Sequence, residues 1–175
     1  RHMPAPFIMT DELTYSELAK SLADAGSFAI RDVPSGGYGA IYPAVIFLPY
    51  AIFDRIPEVY AAVKTINVVV MSLTAVPAYL LARRALSQVS SIVVAALSVA
   101  VPSLVYTTTV MTENVFYPLV VLTLLFLVRL LEQPGWRRTL SLLALLVLAL
   151  LTRVQAVALV AAALTAPLVL AAFTG

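Results

Sequence analysis

The last two thirds of the chain, Val59 to Phe173, is a succession of long apolar runs cut by a few charged positions. That pattern fixes the solvent before it fixes the fold. Val59 to Ala82 ends at Arg83-Arg84, Val89 to Thr109 leads to Glu113, and Val115 to Leu131 runs to Glu132 and Arg137-Arg138. At about 1.5 Å per helical residue, each run matches or approaches the roughly 30 Å of bilayer hydrocarbon. Thr139 to Phe173, about 35 residues or roughly 52 Å as one helix, is too long for a single crossing. Arg153 and Gln155 fall near its middle, so the pattern predicts two spans, 139–152 and 154–173, joined by a tight polar turn.

Composition agrees. The chain is 62% hydrophobic with 11% Asp, Glu, Lys and Arg, against roughly a quarter in soluble domains, and its mean hydropathy is +0.99. The expected class is an all-α, polytopic membrane helix bundle of about five spans, carrying an outer loop with amphipathic and interfacial helices. There is no cysteine, which excludes disulfides and thiolate metal sites. The only histidine, His2, lies in Arg1-His2-Met3, which reads as residue 1–3 remnants of an expression tag. Proton transfer then falls to carboxylates, Lys or Tyr.

Residues 4–58 precede the spans, and 59–175 form them. Thr10 is a candidate N-cap for a helix over Leu13 to Ala25, with Asp11 and Glu12 in its first turn, where the helix dipole favours negative charge. Gly26 is a plausible C′ stop. Ser27 to Tyr42 reads as a Gly/Tyr-rich loop, suited to a polar ligand or to a plain linker. Ile41 to Phe53, with Pro43 and Pro49, is too short to cross and is expected at the interface. The chain opens without a hydrophobic span and stops just after one, which suggests a piece of a longer membrane protein.

Alternation of five spans puts Arg83, Arg84, Arg129, Arg137 and Arg138 on one side with a single acid, Glu132. Excess Lys and Arg mark the cytoplasmic side. Asp11, Glu12, Lys64, Glu113 and Arg153 then share the opposite, outer side. Asn67 lies on nearly the same helical face as Lys64. Each has an ordinary reading: Asp11-Glu12 and Glu113-Asn114 as caps, Lys64 as a snorkelling side chain, Arg153 as an interfacial anchor.

Taken in order, these motifs resemble the membrane-embedded glycosyltransferases of the GT-C fold, in the branch containing protein mannosyltransferases and lipid A aminoarabinose transferases. The features that carry the resemblance are Asp11-Glu12 with Tyr15, Tyr42-Pro43 before the short apolar segment, Lys64 with Asn67, Thr112-Glu113 before Tyr117-Pro118, and Thr152-Arg153 between two spans. The resemblance implies a transferase using a polyprenyl-phosphate sugar at the outer face of the cell (inner) membrane. It makes Asp11 the general base, with Glu12 supporting it, and gives Arg153 and Lys64 the donor phosphate. Asn67, Glu113 and Tyr42 would join them in binding substrate. A divalent cation such as Mg²⁺ or Mn²⁺ is chemically possible. The expected partners are the lipid-linked sugar donor, membrane lipids and the remainder of the full-length protein; a nucleic acid is not expected. Two other readings use the same charges: a segment of a transporter or channel, with Pro77 and Pro102 in broken helices, and a non-catalytic scaffold of the same fold.

Overall fold

A computed structural model describes residues 10–31, 33–35, 37 and 39–174. The tag reading of residues 1–3 lies outside them. Helix α1 runs over Thr10–Ala25 and stops at Gly26, whose φ of +64° is the left-handed cap expected there. The segment read as a loop contains a two-residue antiparallel ribbon, β1 (Ala29–Ile30) with β2 (Val33–Pro34). A pairing this short carries no periodicity for a sequence reading to detect. Helix α2, Ile41–Ile52, is the short apolar segment.

The long helices follow. α3 (Ile56–Ser72) and α4 (Ala75–Ala82) form one 27-residue apolar segment with a break at Leu73-Thr74. The break has a cause: Pro77 has no N–H to give the carbonyl four residues before it, that of Leu73. α5 covers Gln88–Tyr106 and is capped by Ser87, whose hydroxyl accepts from the Ser90 N–H at 3.3 Å. α6 covers Glu113–Glu132 and α7 Trp136–Thr152; a single 3₁₀ turn, Val154–Ala156, then leads into α8, Val157–Thr174.

Among the described residues four segments are long and apolar enough to cross a membrane: 56–82, 88–106, 113–132 and 154–173. At 17 residues α7 is slightly shorter, though its rise of about 26 Å approaches the hydrocarbon thickness. The chain is an all-α polytopic membrane bundle. Many of its largest apolar side chains face outward, Leu104 and Phe173 being more than four-fifths exposed. Such a surface is stable only in lipid.

α1 packs on α2, α3 on α6, α4 on α5 and α6 on α7. One core joins α1 and α2 to the bundle through Ala19, Tyr42, Ile46, Tyr60, Val63 and Val110. A second, of Leu127, Leu142 and Leu146, closes α6 against α7. Near the Arg-rich end, Arg84 donates twice to the Glu132 carboxylate, at 2.7 and 3.0 Å. Helices α1 and α2 cover the opposite end, where Glu12 meets Val110 and Tyr42 meets Asn67.

Candidate active site

The connection between α5 and α6, Thr107 to Thr112, is where the expected site residues converge. A turn at the end of two spans leaves backbone groups unpaired, and buried ones must find partners. Here side chains from other segments provide them. The Tyr60 hydroxyl donates to the Thr108 carbonyl at 2.6 Å, and Asn67 Nδ2 donates to that of Thr109 at 3.0 Å. Asn114 Nδ2 lies 3.1 Å from the carbonyls of Tyr106, Thr109 and Met111. Glu12, from α1, accepts from the Val110 N–H at 2.9 Å and is 0% exposed.

This arrangement separates the adjacent carboxylates. Successive helical residues point about 100° apart, so Glu12 turns into the core on the same face as Ala19, and Asp11 is left exposed at the tip of α1. The charge of Asp11 is felt by Tyr15 and by Arg153, which is itself paired with Glu113. Arg153 forms an ion pair with Glu113 that is partly open to solvent, and its Nε donates to Gln155 Oε1 at 3.0 Å. The hydrogen bond that Arg153 donates to Glu113 holds its guanidinium further into its protonated range, and the negative charge of Asp11 adds to this. Burial pushes the Tyr15 phenol up, while its hydrogen bond with Thr112 pulls the other way. Asp11, Tyr15, Thr112, Glu113 and Arg153 thus form one electrostatic cluster from three separate segments.

Arg153 is set in place by the backbone around it. It occupies an extended position (φ −159°, ψ 133°) between α7 and the 3₁₀ turn. The start of α2 is pressed against that junction: the Ala40 N–H donates to the Leu151 carbonyl at 2.8 Å. A Cβ on Gly39 would overlap the Thr152 carbonyl, so this contact depends on glycine.

Of the remaining expected residues, Tyr42 and Asn67 lie in the core and Lys64 is half-buried. Tyr42 and Asn67 are buried and bonded to each other, hydroxyl to Oδ1 at 3.1 Å, and burial pushes the Tyr42 phenol far up. Tyr42 also meets Tyr15 edge to face, with ring centroids 5.7 Å apart. In this arrangement the pair braces the loop and the cluster from below. The Lys64 ammonium lies 4.7 Å from the centre of the Tyr60 ring, and the Tyr60 hydroxyl in turn interacts with the Glu12 carboxylate. Sequence reasoning missed Tyr60; the signal was its place one helical turn before Lys64.

Two cavities flank α1, and no member of the cluster lines either of them. A cleft of about 410 Å³ opens between α1 and the end of α7, lined by Leu18, Phe28, Ser35, Leu151 and Val154 among others. A more apolar groove of about 380 Å³ runs between α1 and the α2–α3 turn, with Leu13, Tyr50, Phe53 and Tyr60 on its walls and Glu17, Lys20 and Asp54 among its polar residues. Among the described residues no three of His, Cys, Asp and Glu converge as metal ligands.

Residues 40–174, most of the chain, match the family model described as dolichyl-phosphate-mannose-protein mannosyltransferase. The chain belongs to this family. The mannosyltransferase family is of the GT-C type, so the resemblance carried by the sequence motifs holds, and the chain is a member of a class of membrane glycosyltransferases. Tyr42, Lys64, Asn67, Glu113 and Arg153 lie inside the matched stretch; Asp11 and Glu12 precede it. No curated protein and no solved structure matches the chain.

Proposed function

We propose that this mannosyltransferase-family chain carries the acceptor-activating and phosphate-binding part of an enzyme that moves a sugar from a polyprenyl-phosphate donor to an acceptor hydroxyl. The observation that carries the reading is the exposed Asp11 carboxylate, whose charge is felt at the Arg153–Glu113 pair, at the end of the bundle opposite the arginine-rich one. In the reaction, Asp11 takes the proton of the acceptor hydroxyl as its oxygen bonds to the anomeric carbon. The bond from that carbon to the donor phosphate oxygen breaks, and polyprenyl phosphate leaves with the electron pair. Negative charge grows on the departing phosphate, and Arg153, with Lys64, stabilises it. Glu113 holds Arg153 in the orientation this requires. Glu12, Tyr42 and Asn67 position the loop from which Glu113 projects. The apolar groove beside Tyr50 and Tyr60 suits the isoprenoid chain of the donor.

On this reading the protein is a multi-pass protein of the cytoplasmic membrane, with the cluster on its extracytoplasmic side. The test is a transfer assay on the full-length protein in proteoliposomes with a panel of polyprenyl-phosphate sugars and, separately, nucleotide sugars. Transfer from one or more of the lipid-linked donors is expected. Transfer from nucleotide sugars alone would overturn the donor class.

A further inference from the structure

We propose that the arginine-rich end of the bundle holds the phosphate headgroup of an anionic phospholipid, at a site separate from the cluster described above. The ends of α4, α6 and α7 enclose an open cleft of about 310 Å³ lined by Arg84, Arg129, Glu132, Gln133 and Arg138. Three guanidiniums face a single carboxylate there. Glu132 is engaged by Arg84 through both oxygens and also feels Arg138 and Arg129. Arg138 Nη2 donates to Gln133 Oε1 at 2.7 Å, which fixes its plane without neutralising it. Arg129 lies over the Phe126 ring, 5.6 Å from its centre, and forms no ion pair among the described residues. The cleft therefore carries two uncompensated positive charges.

Several features make a phospholipid the fitting occupant. The cleft sits where three apolar helices end, at the depth of the phosphate layer. Positive charge held at such a cleft attracts phosphate oxygens, and both Arg129 and Arg138 line it, the latter held in place by the carbonyls of Arg129 and Gln133. Trp136, 69% exposed and next to Arg137, marks the same level as interfacial. A plain topology signal needs charge on this side. It does not need arginines from three helices around one cleft.

Trp136 is the only tryptophan of the chain, which supplies the experiment. The protein is placed in vesicles of brominated phosphatidylglycerol mixed with unlabelled phosphatidylcholine, and in the reverse mixture, and Trp136 quenching is measured. The site predicts stronger quenching by the brominated anionic lipid. The preference should fall by roughly five-fold for each arginine removed, in R129Q and R138Q. It should persist in R129K/R138K, which keeps the charge if the neutral pair fails to fold, and in R55Q at the opposite end. Equal quenching by the two lipids, or equal loss in R55Q, would overturn the proposal. Release of the quenching by inorganic phosphate at constant ionic strength would assign the cleft to a free phosphate instead, and would overturn it as well.

Discussion

At the scale of single residues, the two adjacent carboxylates of α1 have opposite duties. Asp11 is solvent-exposed, whereas Glu12 is buried and bonded to a backbone N–H of the α5–α6 connection. Glu12→Ala leaves the Val110 N–H unpaired in the core and is expected to cost about 1–3 kcal/mol of stability. Thermal unfolding in detergent measures it, and a melting temperature equal to wild type would refute the structural role of Glu12. The residue types were legible in the sequence as an acidic pair in a chain nearly empty of charge, although α1 begins at Thr10 itself and not after it. The division of labour was not. Ala19 and Leu18 give only a weak apolar face to α1, so nothing in the sequence said which carboxylate turns inward. Asn67 and Tyr42 were likewise visible as polar groups among apolar neighbours, but their bond to each other joins residues 25 apart, and local spacing does not reveal such pairs.

At the scale of elements, the site depends on how α2 meets the end of α7. Gly39 touches the Thr152 carbonyl closely enough that no side chain fits, and the next residue donates to Leu151. Gly39→Ala is therefore expected to push α2 off the α7 junction that carries Arg153. A clash of this kind costs about 1–3 kcal/mol. Transfer should fall further than the stability loss alone explains, because Arg153 shifts relative to Glu113; activity and unfolding measured on the same preparation separate the two. Activity retained in full would show that the junction does not set Arg153. Most elements were predictable from apolar run length and from Gly and Pro. Gly26 ends α1, and the polar pair near residue 154 separates α7 from α8. The start of α3 at Ile56 lies three residues before the expected boundary, because Pro57 in the first turn needs no N–H partner there and its φ suits a helix start. The β1–β2 ribbon depends on a tertiary setting that a periodicity count does not resolve, whereas the kink before Pro77 is written in the sequence by the proline itself.

At the scale of the whole molecule, charge is sorted to the two ends of an apolar bundle. Arg83, Arg84, Arg129, Arg137 and Arg138 gather at one end, and the Asp11–Arg153–Glu113 cluster lies at the other. The orientation that follows can be measured directly, since the chain has no cysteine of its own. Single cysteines at Asp24 and at Gln133, both exposed, should react differently with an impermeant maleimide on intact cells: the first labelled, the second only after permeabilisation. The reverse pattern would put the cluster in the cytoplasm and remove the lipid-phosphate chemistry from the outer face. The proposed role of Asp11 as the base of a glycosyl transfer is tested most directly by removing its charge. Asp11 is exposed, so Asp11→Asn should leave stability within about 0.5 kcal/mol of wild type. Transfer from the lipid-linked donor, measured with the folded full-length variant, should drop by about 10²–10⁴-fold. A variant that folds normally and transfers sugar at close to the wild-type rate would contradict the account.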